Sequence, residues 1–128
     1  MNDVFVDYNL SWDTFLAAME ETLLKFYGVS SLEEYNSPEI ATYRQQVDML
    51  ALMSVDDPEI FAQNTGTEVA APTTTGIAYH HAFHVRELKE RADAIGIPNV
   101  CYYGKNPILY SDPSNEMLVD FVIRKVNE

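Results

Sequence analysis

Basic residues are scarce in this chain. Eight lysines and arginines face 20 acids, for a formal net charge of −12. A field of that sign repels phosphate backbones and anionic lipid heads, so neither nucleic acid nor a membrane surface is expected as a partner. The deficit is uneven: residues 1–60 carry 12 acids against Lys25 and Arg44, a net of −10, and the remainder only −2. Cysteine is nearly absent too. Cys101 stands alone, which excludes an intrachain disulfide, and its apolar setting (Val100-Cys101-Tyr102-Tyr103) predicts a buried small side chain rather than a reactive thiol. No apolar run approaches the ~20 residues that cross a bilayer. The opening Met1-Asn2-Asp3-Val4-Phe5 lacks the basic start and apolar stretch of a signal peptide, so the expectation is a soluble chain with no address. The glycines (Gly28, Gly66, Gly76, Gly96, Gly104) are isolated, and none opens a helix as a phosphate-binding loop does.

What is present suits one compact domain. The chain has 128 residues, 47% hydrophobic and 22% charged, enough for a single core and too short for two. Val4, Phe5, Val6 and Tyr8 alternate weakly, as a short strand or extended arm does. From Ser11, Trp12, Phe15, Leu16, Met19, Leu23, Phe26 and Tyr27 recur at helical spacing, with Ser11 as cap and Gly28 as stop. Ser31-Leu32-Glu33-Glu34 has capping-box spacing, and Ser37-Pro38-Glu39 opens a helix whose apolar face is Ile40, Tyr43, Val47, Leu50 and Ala51. Residues 1–54 therefore read as a helical hairpin, its end thickened by Met49, Leu52 and Met53.

Residues 55–128 read as strand, long loop, helix, strand, helix. Glu59 to Ala62 is a short apolar strand candidate, and the threonine-rich loop after it is of a length that commonly carries function. His80 to Ile95 places Phe83, Leu88, Ala92 and Ile95 on one face, with Arg86-Glu90, Glu87-Arg91 and Lys89-Asp93 as charge pairs four apart. Gly96 closes that helix, Asn99 to Tyr103 is the second strand, and a last helix turns Met117, Leu118, Phe121 and Val122 inward. Strand, helix, strand is the order of a parallel α/β sheet. Two such strands do not make a stable layer, so the chain adds edge strands to something larger or pairs with its own copy.

Over roughly Asp7 to Val126, and best from Met53 onward, the sequence resembles the C-terminal part of the α/β-hydrolase fold, among esterase-like members of the carboxylesterase and lipase group. Ser54-Val55-Asp56-Asp57-Pro58-Glu59-Ile60-Phe61 is similar to the family's entry to its penultimate strand. His80-His81-Ala82-Phe83-His84 with Leu88 to Ile97 is similar to the following helix, and Tyr102-Tyr103-Gly104 with Phe121 to Lys125 to the last strand and helix. The resemblance implies an α/β fold class: a partial hydrolase-like layer with a helical hairpin, two C-terminal strands and two flanking helices.

It also implies roles. Glu68, four residues before Pro72, stands where the family keeps the acid of its Ser-His-Asp/Glu triad. The catalytic histidine normally follows the last strand, where this chain has Lys105-Asn106-Pro107, leaving His81 or His80 as a substitute base. The alternative for that pair is capping and packing of the helix start. No Gly-x-Ser-x-Gly elbow occurs, so the chain is not expected to hydrolyse esters alone. Two functions stay open: the C-terminal segment of an esterase-like hydrolase, partnered by the N-terminal hydrolase portion, or a non-catalytic module that self-associates. No cofactor is expected. A metal site on His80 and His84 is disfavoured, because His81 points elsewhere on the helix and no cysteine or aspartate completes a ligand set.

Overall fold

The computed structural model describes residues 12–128, with side chains from residue 20 onward. The expected strand or arm over residues 3–8 and the inward side chains of the first helix before residue 20 lie outside that range. The first helix, α1 (Trp12–Tyr27), ends at Gly28, whose positive φ of 68° glycine adopts without strain. The next, α2 (Leu32–Tyr35), is capped by Ser31, whose hydroxyl accepts from Glu34 N–H at 3.2 Å. Glu34 completes the box one residue early, accepting both the N–H and the hydroxyl of Ser30 at 2.8 Å. Ser37 caps α3 (Pro38–Val47), as its spacing predicts. Tyr27 joins the arms of this hairpin, meeting Tyr35 and Tyr43 edge-on at 5.4 and 6.1 Å, while Arg44 lies over the Tyr35 ring.

The helix expected to continue through Met53 breaks at Asp48. The Asp48 carboxylate accepts from the N–H groups of Leu50 and Ala51 and so starts a separate turn, α4 (Met49–Leu52). An aspartate inside an apolar-periodic run competes with the helix for its own backbone, and here it wins.

The second half holds β1 (Ile60–Asn64), α5 (Thr75–Tyr79), α6 (Phe83–Ile95), β2 (Asn99–Tyr103), β3 (Tyr110–Ser111) and α7 (Leu118–Val126). The three strands form one mixed sheet in the order β1-β2-β3. β1 and β2 run parallel, from Ile60 opposite Asn99 to Asn64 opposite Tyr103, and β3 returns antiparallel with Tyr110 opposite Tyr103. The class is therefore mixed α/β. Two elements escape the sequence pattern: α5, a single turn capped by Thr74 within the threonine-rich loop, and the two-residue β3.

Side chains of successive strand residues point to opposite faces, so the sheet has an α6 side and an α7 side. On the α6 side Met53, Ala92 and Ile97 form the core, packed by Leu50, Ile60, Leu88 and Ile95. Arg91 does not pair with Glu87 there. Its guanidinium reaches the carbonyls of Leu50 and Met53 at 2.9 and 3.4 Å, and so pins α4 to α6. On the other side Phe61 meets Tyr102 at 6.0 Å and Phe121 of α7 at 5.5 Å, and the Tyr102 hydroxyl donates to the Glu116 carbonyl.

Candidate functional site

The loops that leave the carboxyl ends of β1 and β2 are tied together. Gly104 N–H donates to the Asn64 carbonyl at 3.0 Å, and Val69 N–H to that of Lys105 at 3.3 Å. Glu68 sits across this junction, its carboxylate accepting from the Asn106 amide at 3.0 Å with Lys105 Nζ 3.7 Å away. Open sheets with parallel strands gather ligands at this edge. Glu68 and Lys105 are both about half exposed there, their side chains at 52% and 49%.

His81 lies inside, with no solvent exposure. Its Nδ1 accepts from Phe83 N–H at 3.2 Å, which leaves the proton on Nε2, and Nε2 donates to the Ala70 carbonyl at 3.1 Å. Burial, the largest cause, holds the imidazole below its ordinary pKa; the Ala70 hydrogen bond opposes that, and the charges of His84 and Arg86 reinforce it. His84 donates through Nε2 to the Ala78 carbonyl at 2.7 Å. The two rings thus fasten the threonine-rich loop and α5 to the start of α6. His80 is exposed at the end of α5, where its carbonyl accepts from the Asn64 amide at 2.7 Å.

Glu68, His80 and His81 therefore share one end of the sheet without forming a chain of hydrogen bonds. The partners of Glu68 are Asn106 and Lys105, and neither histidine is among them. Among the described residues no group of three or more His, Cys, Asp or Glu side chains is arranged to hold a metal ion. Cys101 is fully buried, and burial pushes its thiol up to about 11, so it carries no thiolate near neutrality.

A second feature lies on α7, and sequence periodicity misplaces it. Met117, Leu118 and Val122 are exposed, and Phe121 alone of the expected inward set is partly buried. The side facing the protein belongs to charge. Arg124 binds Glu116 at 2.7 and 2.8 Å and Glu59 at 2.8 and 3.0 Å, and Lys125 adds a bond to Glu59 at 2.9 Å. Leu118, Val119, Val122, Ile123 and Val126 are left facing solvent, with Val119 68% exposed. Arg124 and Lys125 are basic residues in the last turn of the helix, and Glu59, which turns them inward, is too distant in sequence for any local pattern to show.

This cluster has a pH signature. The Arg124 guanidinium, opposed by partial burial and reinforced by Lys125, holds the Glu59 carboxyl down at about 2. The folded protein therefore binds its proton less readily than the unfolded chain does, and Glu59 stabilises the fold fully only above its ordinary value. The urea midpoint should fall as pH drops from about 4.5 towards about 2, and Glu59→Gln should flatten that part of the profile. An unchanged profile in the variant would mean that the clamp contributes nothing.

No protein-family model, no curated protein and no solved structure matches this chain. Among the described residues no helix is long and apolar enough to cross a membrane.

Proposed function

We propose that this protein is a non-catalytic interaction module that docks on another protein surface through α7. One observation carries the reading: the helix is amphipathic, and its apolar stripe (Leu118, Val119, Val122, Ile123, Val126) faces outward while its basic residues, Arg124 and Lys125, are paired with Glu59, Glu116 and Glu128. A surface helix of a monomer has the reverse orientation. Contiguous exposed apolar surface of this kind marks a contact site. The polar site at the carboxyl edge of the sheet fits the same reading, because the group facing Glu68 is the Asn106 amide, which cannot take up a proton at neutral pH.

The expected result is negative chemistry. Incubated alone with a serine-directed phosphonate and with activated esters, the chain should take up no label and release no product above background. Labelling, or saturable turnover, would overturn the reading.

The esterase-segment reading has one observation in its favour. A parallel β1–α6–β2 unit carries a carboxylate, Glu68, on the loop just beyond its first strand, beside the loop from its second. In that version Glu68 is the triad acid of an α/β-hydrolase, His81 or His80 serves as base, and the nucleophile comes with an N-terminal portion. His81 would have to leave Ala70 and Phe83 to act. Phosphonate labelling that appears only when the upstream hydrolase portion is supplied as a second chain would favour it.

A further inference from the structure

The outer edge of β1 and α7 belong to one side of the molecule. Phe121 of α7 rests on Phe61 of β1, and Arg124 and Lys125 hold Glu59, the residue before the strand. Among the described residues β1 pairs only with β2. Ile60 N–H donates to the Pro98 carbonyl, and the Asn64 carbonyl accepts from Gly104. Backbone groups alternate sides along a strand, so Phe61 and Gln63 present theirs to the open edge. Ile60-Phe61-Ala62-Gln63-Asn64 has no charge and no proline, the usual defences of an exposed edge.

Resting on the interaction-module reading, we propose that the partner is a second copy of this chain, paired antiparallel along β1 about a two-fold axis at Ala62. Phe61 exchanges its outward N–H and C=O with the partner's Gln63, and Gln63 with the partner's Phe61. Such a pairing is self-complementary, as a two-fold interface must be. It joins two sheets of the order β1-β2-β3 into one and sets the two α7 helices on the same face.

Charge at the strand edge permits this occupant. Two chains of net charge −12 repel except where the approaching surface is neutral. β1 is uncharged, and Glu59 beside it is compensated by Arg124 and Lys125. The antiparallel arrangement brings the exposed Asp56 and Asp57, just ahead of β1, towards the end where the second copy's Glu68 and Lys105 stand as an ion pair. Strand pairing over five residues does not reach the ~1,000 Å² that a stable interface buries. Exposed apolar residues of α7, which packs through Phe121 on β1, must therefore bury the rest.

Sedimentation equilibrium of the full chain tests this, with Gln63→Pro as the main variant. Proline removes the outward N–H of residue 63, which no bond within the sheet uses, and the Gln63 side chain is exposed, so the monomer fold is retained. The wild type should form a dimer whose dissociation constant rises at least about tenfold in Gln63→Pro. Val119→Lys should weaken it as well. Should the proline variant misfold, amide exchange of the wild type decides: protection at Phe61 and Gln63 should fall on dilution. A monomeric wild type, a dimer indifferent to Gln63→Pro, or protection independent of concentration overturns the proposal. A monomer that still takes no phosphonate label leaves the interaction-module reading standing with a different partner, whereas labelling removes that reading whatever the assembly state.

Discussion

Replacing Gly104 by alanine should destabilise the protein by about 3 kcal/mol, with loss of the β2–β3 turn. Gly104 has a φ of +95°, outside the range that residues with a Cβ ordinarily adopt. A Cβ there would lie 2.7 Å from Leu109 N, 2.9 Å from the Pro107 carbonyl oxygen and 3.0 Å from Leu109 Cγ. The first two are backbone atoms and cannot swing aside. The turn is held on both sides, Gly104 N–H on the Asn64 carbonyl and Leu109 N–H on that of Tyr103, so relief requires breaking one of these bonds. Gly96→Ala is the control. It shares a positive φ, 82°, but meets nothing within 4 Å, and should cost only about 1 kcal/mol. Urea unfolding of the two variants separates backbone strain from steric contact. Equal losses would show that contact around Gly104 adds nothing.

How far these elements are legible in the sequence depends on how local their causes are. Ser37-Pro38 and the Gly96 stop each settle a helix end within a few residues, and the structure places ends there. The strand pair follows from apolar runs flanking an amphipathic helix, so a mixed α/β class was within reach, although the first strand, expected over Glu59 to Ala62, runs Ile60–Asn64 and takes in the polar Gln63 and Asn64. α5 and β3 were not: five and two residues are too short to show a period. The direction of α7 fails for a different reason. Its pattern gives an apolar face correctly, and the inference that this face is buried assumes the rest of the chain supplies a surface for it. Glu59, 65 residues from Arg124, claims the charged face instead. At the candidate site the same limit holds. Glu68 and His81 lie close in sequence, but Glu68 meets Asn106 and Lys105 while His81 bonds to Ala70 and Phe83.

His81→Leu should cost about 3 kcal/mol, from an apolar side chain that fills the space and offers no hydrogen bonds. The imidazole now accepts from Phe83 N–H and donates to the Ala70 carbonyl, so its loss strands the buried Phe83 N–H away from water and cuts the tie to Ala70, an exposed residue of the threonine-rich loop. Partial replacements separate the two bonds. Glutamine can extend an amide N–H towards Ala70, and asparagine can set a carbonyl oxygen near the place of Nδ1, so each should recover part of the loss. The pH dependence gives an independent readout. Burial keeps the folded pKa of His81 below its ordinary 6.5, so the unfolded chain binds the proton more readily and stability declines as pH falls through and below that value. His81→Leu should be less stable than the wild type at pH 8 and should lose less on moving to about pH 5.5, because the group that titrates is gone. If the leucine variant matched the wild type in both midpoint and slope, the buried ring would not be what fastens the threonine-rich loop to α6.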